Sequence, residues 1–281
     1  MLSYRHSYHA GNHADVLKHL VLVQLLRYMA QKDKPFWVID THAGAGMYAL
    51  DSEHATKLSE HEGGISRLWE RSDLPPAVAD YVAEVRSLNT DGRLRAYPGS
   101  PWLAQRALRS QDRLRLFELH STDHRILASY FGNSGKQAIV YADDGFATLK
   151  ALLPPPSKRA LVLIDPSYEL REDYGRVAST LKEALERFAT GTYAVWHPSL
   201  PKPEARFLPQ KLRALKCDNW LHVTLNVRSP ATDGFGMHGS GMFIINPPWT
   251  LAATLKEVMP WLTTTLAEDD SASFTLDSQS S

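Results

Sequence analysis

With a single cysteine, Cys217, among 281 residues, the chain can form no internal disulfide and no cysteine-based zinc site. No apolar run approaches the length of a membrane span, and the opening Met1-Leu2-Ser3-Tyr4-Arg5-His6 lacks the apolar stretch of a secretory signal. These absences predict a cytoplasmic protein that does not contact a membrane, with Cys217 a buried bystander. Net charge is missing too: 31 Lys and Arg balance 31 Asp and Glu. That balance argues against a domain that coats nucleic acid through bulk charge, while leaving room for a local basic patch. Two stretches do bunch cations, Arg93, Arg95, Arg106, Arg109, Arg113 and Arg115 in one and Lys202, Arg206, Lys211, Arg213 and Lys216 in the other. The plain alternative for either is a solvated helix face.

What is present is a βα alternation. Ala14 to Gln31 carries apolar residues at helical spacing, and Pro35 ends it. Phe36-Trp37-Val38-Ile39 then reads as a buried strand running into Asp40-Thr41-His42-Ala43-Gly44-Ala45-Gly46. Further buried strands are expected at Leu114 to Phe117, Ala138 to Tyr141, Ala160 to Ile164 and Thr192 to Trp196, with helices between them. Strands alternating with helices imply right-handed crossovers and a mainly parallel sheet covered on both faces. Leu221 to Arg228 and Gly241 to Ile245 read as an antiparallel hairpin at the sheet edge. The interval from about Tyr48 to Tyr97 is too long for a loop and holds helical patterns around Ile65 to Glu70 and Ala77 to Leu88, so an inserted helical subdomain is expected. The division is a cap, first helix and first strand over 1–47, the insertion over 48–97, the rest of the domain over 98–267, and a disordered tail over 268–281.

Gly44 and Gly46 after a strand allow close backbone approach to a ligand, and in open α/β sheets ligands sit beyond the carboxyl ends of the strands. Gly-x-Gly turns also serve nicotinamide and flavin cofactors. Asp40, four residues before Gly44, gives the acidic-x-x-x-Gly-x-Gly pattern seen in methyltransferases. Glu118, just past the next strand, could take both hydroxyls of a ribose. Asp144-Gly145 could meet an adenine amine, cap a helix, or do both.

Asp165-Pro166-Ser167-Tyr168 follows directly on the most apolar strand. An exocyclic amine on a nucleobase is a weak nucleophile, because its lone pair is delocalised into the ring. Hydrogen bonds accepted from its N–H groups by Asp165 and the Pro166 carbonyl return density to nitrogen, and Tyr168 can stack on the flipped base. Asn246-Pro247-Pro248-Trp249 looks similar but follows the expected edge hairpin, where a proline stop before the last helix accounts for it. The histidine-rich start, with His6, His9, His13, His19 and Asp15, invites a metal reading, which the missing cysteines disfavour. With Tyr4, Arg5 and Tyr8 it can instead form a cap able to stack on bases and contact phosphates.

Tyr4 to His19, Asp40 to Gly46, Tyr97-Pro98-Gly99-Ser100-Pro101 and Gly239-x-Gly241-Met242 together resemble the RlmJ family of bacterial 23S ribosomal RNA adenine-N6 methyltransferases, over Met1 to about Leu262. The resemblance implies a Rossmann-like methyltransferase fold, S-adenosylmethionine as donor, and methylation of one adenine of 23S RNA, adenine 2030 in the usual bacterial numbering, on protein-free RNA or an assembly precursor. It implies a monomer with no obligate protein partner and no metal. His19, His42, Gly44, Ser100, Glu118, Asp144 and Gly145 take the cofactor positions. Asp165, with Pro166 and Tyr168, takes the catalytic one, and Tyr4, with Arg5, His6 and Tyr8, the RNA-facing one. One departure is Ser167, where the family motif has a second proline. Two alternatives stay open: a nicotinamide-dependent oxidoreductase using the Gly44 to Gly46 turn, and a non-catalytic RNA-binding assembly factor.

Overall fold

The opening amphipathic segment forms α1 (His13–Gln31), whose cap Asn12 accepts hydrogen bonds from the Ala14 and Asp15 amides through its side chain. The apolar run after Pro35 forms β1 (Trp37–Asp40), in a computed structural model that describes residues 6–51, 59–232 and 236–280. β2 (Met47–Ala49), α2 (Ser66–Trp69), α3 (Pro76–Leu88), β3 (Ala96–Pro98) and α4 (Ser100–Ala107) follow. Regular alternation then sets in with β4 (Arg113–Phe117), α5 (Ser121–Phe131), β5 (Ala138–Tyr141), α6 (Gly145–Leu152), β6 (Ala160–Ile164), α7 (Asp173–Arg187) and β7 (Thr192–Ser199). The chain closes with α8 (Pro203–Arg213), β8 (Trp220–Asn226), β9 (Gly239–Ile245), α9 (Leu251–Leu266) and β10 (Ser273–Gln279).

The sheet order is β10-β8-β9-β7-β6-β1-β4-β5. β1 pairs in parallel with β4 on one side and β6 on the other, so the winding reverses there and leaves a crevice at the carboxyl ends of these strands. β7 continues the parallel part beside β6, whereas β9 runs antiparallel between β7 and β8. This is a Rossmann-like α/β fold, as the alternation predicts.

Two expectations need correction. The β8–β9 hairpin is not the sheet edge: β9 is internal, and β10 adds a further antiparallel strand outside β8. The tail is therefore not structureless through most of its length. Phe274 and Leu276 alternate with polar residues over Ser273–Gln279 and pack against the core, a period-two pattern short enough to pass for polar tail. The expected insertion does hold helices, α2 and α3, but β2 and β3 bracket it as a two-stranded antiparallel ladder. Its apolar residues Ile65, Val78, Tyr81 and Val82 join one core with α1 and the sheet.

That joint core explains α1. It packs against β9 on one side and against α3 and α4 on others, so nearly its whole circumference is buried. Its first turns hold His13, Asp15, Lys18 and His19, all buried. Asp15, Lys18 and His19 follow i, i+3, i+4 spacing and share a face.

Candidate functional site

A cavity of about 1140 Å³ opens at the carboxyl ends of β1, β4, β5, β6 and β7, lined by residues that follow each of those strands and by the first turns of α1. Gly44 sits in its wall with φ +61, in the left-handed region. A Cβ there would lie 2.3 Å from the Tyr48 hydroxyl, so the turn requires glycine. Gly145, at the start of α6, approaches even closer: a Cβ would meet the Thr41 carbonyl oxygen at 2.2 Å. The β1 turn and the α6 N-terminus are thus pressed together with only backbone between them.

Glu118 is fixed by the backbone around it. Its Oε2 accepts from the Gly44 amide at 2.8 Å and its Oε1 from the His120 amide at 2.6 Å. Burial pushes its carboxyl up, against those two hydrogen bonds. Asp144 serves as the α6 cap, accepting from the Phe146 and Ala147 amides through Oδ1, while Oδ2 pairs with Arg176. Burial would raise it, but Arg176 outweighs burial and holds it low. His42 lies edge-on to Phe146, with centroids 4.5 Å apart, and its Nδ1 is 2.8 Å from the Thr41 hydroxyl. Ser100, the first residue of α4, donates to Asp40 Oδ2 at 2.6 Å, and the His42 amide reaches Asp40 Oδ1 at 3.2 Å. Burial lifts Asp40 to about 6 despite both bonds. Asp40 is thus a strut for Ser100 and the turn rather than part of the cavity wall. His19 packs its ring on Tyr97 and shares a 2.8 Å hydrogen bond between Nδ1 and the Tyr97 hydroxyl. Its Nε2 has no partner among the described residues.

Asp165 follows β6, next to β1, and is engaged by a residue far away in sequence. Lys18 Nζ donates to Asp165 Oδ2 at 2.6 Å and to Asp15 Oδ1 at 2.8 Å. Burial alone would lower the Lys18 ammonium, but the two carboxylates raise it above its ordinary value. Burial would likewise raise Asp15, yet His6 and Lys18 hold it well below the usual carboxylate range. Asp15 Oδ2 is met at 2.9 Å by both His6 Nε2 and the Gly11 amide. Asp165 Oδ1 has no partner among the described residues and the group keeps partial exposure at the cavity wall. Pro166 and Ser167 also line the cavity.

Tyr168 does not. With φ +53 it turns its ring into the core, tilted against Tyr174 and Trp196, and its hydroxyl donates to the Trp196 carbonyl at 2.6 Å. It was expected to face the base; the left-handed backbone and the buried hydroxyl bond direct it away. Trp196 is the half-buried aromatic at the cavity wall here, 6.0 Å from the Lys18 ammonium.

Of the expected RNA-facing residues, Tyr4 and Arg5 lie outside the described residues. His6 lines the cavity, its ring edge-on to Tyr48, whereas Tyr8 is half-buried in the same short 3-10 turn and is not part of the wall. Asn246 lies at the opposite end of the sheet. It follows β9, which runs antiparallel to β7, and its side-chain amide donates to the Ala189 and Gly191 carbonyls at 2.7 Å. Among the described residues no group of three or more His, Cys, Asp or Glu is placed to hold a metal ion, and no helix is long and apolar enough to cross a membrane.

The sequence model of the family described as ribosomal RNA large subunit methyltransferase D, RlmJ, matches residues 33–277. The chain belongs to the RlmJ family. Curated relatives named ribosomal RNA large subunit methyltransferase J agree: one from Haemophilus influenzae is 47% identical over 278 residues, covering 99% of this chain and 98% of its own. Another from Escherichia coli is 48% identical over 262 residues, 93% of each chain. A crystal structure of protein LPL1258 from Legionella pneumophila, given the family label DUF519, superposes with a TM-score of 0.89 at 39% identity and covers 97% of this chain and 99% of its own.

Membership of the RlmJ family favours the methyltransferase over the nicotinamide reading of the glycine turn. The residues present fit S-adenosylmethionine. Gly44 and Gly145 let the β1 turn and the α6 N-terminus close together at the cavity wall, Glu118 is a pre-oriented acceptor for a ribose diol, Phe146 adds an apolar lining, and His19 has an unmet buried nitrogen. What the RlmJ-family sequence conceals is Lys18. It sits inside the N-terminal motif and interrupts an apolar helical period, where a solvent-facing lysine is the ordinary expectation. Its one visible signal is the pair Asp15 and Lys18 at i, i+3 on a helix apolar nearly all round.

Proposed function

We propose that this RlmJ-family protein methylates the N6 amine of an adenine in 23S ribosomal RNA, by family resemblance adenine 2030, with S-adenosylmethionine as methyl donor. The observation that supports this most directly is the Lys18-Asp165 pair, which fixes one carboxylate oxygen and leaves the other without a partner among the described residues, on the wall of the cavity that the expected cofactor residues also line.

When bound, the cofactor supplies an electrophilic methyl group on a sulfonium. The rest falls to the protein. Asp165 Oδ1 accepts one N–H of the flipped adenine, and the Pro166 carbonyl accepts the other, which favours a pyramidal nitrogen whose lone pair is released from the ring. Lys18 holds the carboxylate at one angle, which suits it to stabilise the cationic nitrogen that forms on attack. The nitrogen then sheds a proton to solvent or a nearby base. Trp196 offers the apolar surface for the base. Glu118, Ser100, His42, His19, Gly44 and the Asp144-Gly145 turn hold the donor, and the N-terminal residues Tyr4, Arg5, His6 and Tyr8 are the proposed RNA contacts.

The test is mass spectrometry of 23S RNA from a strain lacking the gene, complemented by the wild type or by Asp165→Ala. N6-methyladenosine should vanish from one position, return with the wild type, and stay absent with the variant. An unchanged 23S profile in the deletion strain sinks the assignment. A variant that restores the cellular phenotype without the methyl group supports the assembly-factor alternative.

A further inference from the structure

The two cationic stretches of the sequence meet different fates. The first is absorbed by the fold. Arg106 pairs with Glu84, Arg109 with Asp112, Arg113 donates to the Ser110 and Asp112 carbonyls, and Arg115 is buried with its guanidinium over Trp37. The second lies on α8 and on either side of it, and apart from Arg213, which pairs with Asp277, it is left open. Apolar Ala205, Leu208 and Leu212 anchor that helix to the core, so Lys202, Arg206, Gln210 and Lys211, at i, i+4, i+8 and i+9, are left exposed on its outer side. Among the described residues none of Lys202, Arg206 and Lys211 has an ion pair, and Glu204, the one acid in the helix, is taken by Arg171. Phe207 stands amid these cations with 54% of its surface exposed, an aromatic with no apolar neighbour to cover it.

The face also begins at the cavity. β7 delivers Pro198 and Leu200 to the cavity rim, and Lys202 follows two residues later. Arg206 is near enough to His238, together with Arg228 of the rim, to depress that imidazole after burial has done so. Unpaired cations at one-turn intervals with an exposed ring among them match a polyanion that carries flat bases.

We infer that the outer face of α8, through Lys202, Arg206, Phe207 and Lys211, docks the RNA strand that presents the target adenine to the cavity. The inference rests on the proposed RNA methyltransferase function. The cations track phosphates leading away from the rim, and Phe207 stacks on an unpaired base beside the target.

The test uses the full-length protein and a 23S transcript. Lys202→Gln, Arg206→Gln and Lys211→Gln are combined in one variant and compared with a control that neutralises Lys136, Lys182 and Lys256, exposed lysines elsewhere. At about 0.15 M salt the α8 variant should raise KM for RNA roughly 10- to 100-fold, with kcat and the Kd for S-adenosylmethionine within about twofold. Its log-log salt slope for RNA binding, read by filter binding, should flatten by about 2 to 3, while the control changes little. Phe207→Ala should weaken RNA binding roughly 5-fold or more without altering the slope. Binding and salt slope equal to the control overturn the docking surface. Binding lost in the α8 variant while the wild type methylates no adenine keeps the surface and refutes the activity instead.

Discussion

Replacing Lys18 by methionine keeps the length of the side chain and removes its charge, which isolates what the ammonium does. Lys18 is buried and makes bonds of 2.8 and 2.6 Å to Asp15 and Asp165, so its loss leaves two carboxylates without their shared cation. Removing one partner of a buried ion pair costs about 3 to 5 kcal/mol. The lower end applies here, because Asp15 keeps His6 and the Gly11 amide and Asp165 keeps some exposure. A protein of this size should lose roughly 5 to 15 °C of melting temperature. Methyl transfer should slow by roughly 100- to 1000-fold in kcat, the range seen when a positioned polar group near developing charge is removed, while S-adenosylmethionine binding, read by calorimetry, stays within about threefold. Single-turnover methylation of a 23S transcript below the melting transition is the assay. Lysine acts through Asp165, so Lys18→Met combined with Asp165→Asn should be little slower than Asp165→Asn alone. The reasoning fails if Lys18→Met retains kcat within about threefold, or if the two substitutions multiply in full.

Other consequences are open to measurement. Burial depresses His13 and His197 to about 4 and His19, His42 and His222 to about 3. Native imidazoles therefore refuse protons that the unfolded chain binds, and stability is lost as pH falls from about 6.5 towards 4. Each such histidine contributes up to about 1.4 kcal/mol per pH unit. Asp40, raised to about 6, opposes this with one proton bound in the native state between about pH 6 and 4. Urea midpoints that do not decline between pH 7.5 and 5 would contradict the sum. Tyr168→Phe removes only the bond to the Trp196 carbonyl and should cost about 0.5 to 1.5 kcal/mol of stability, with KM for RNA nearly unchanged. A large KM effect would mean that the hydroxyl reaches the substrate. Gly145→Ala forces a Cβ onto the Thr41 carbonyl and should abolish measurable cofactor binding, by calorimetry, or unfold the protein. Truncation before Ser273 should expose the β8 edge and collapse hydrogen-exchange protection across Trp220–Asn226.

The sheet was legible where single strands were buried on both faces. Phe36 to Ile39 and Ala160 to Ile164 announce themselves as apolar runs, and the glycine turn and Asp165 each follow directly on such a strand. β10 was not legible, because an edge strand covers one face only and two apolar residues in seven resemble a polar tail. Register across the sheet was hidden too. Nothing local in Gly239 to Ile245 tells that β9 inserts between β7 and β8, since that depends on which edges remain unpaired once the rest has formed. The proposed cofactor wall was legible because, apart from His19 on α1, each group sits just after a strand, at a position the topology dictates. Lys18 and Tyr168 were obscured for opposite reasons. A lysine on a helix normally reaches water, and only the packing of α1 on both sides turns this one inward. A tyrosine after Asp-Pro normally points at a ligand, and only its left-handed backbone sends it to the core.

The pair formed by Lys18 and Asp165 joins residues 147 positions apart in sequence. β1 cannot be flanked on both sides until β6 exists, and β7 cannot be sealed from solvent until β9 has folded back beside it. On a growing polypeptide, the first helix therefore waits with Asp15 and Lys18 already in place but with no carboxylate after β6 to receive the ammonium. Loop closure over such distances is slow, and the bond that orients Asp165 forms late. An occupied Lys18-Asp165 contact thus doubles as a report that β6 has been made and has met the first helix, so a chain interrupted before β6 cannot form it.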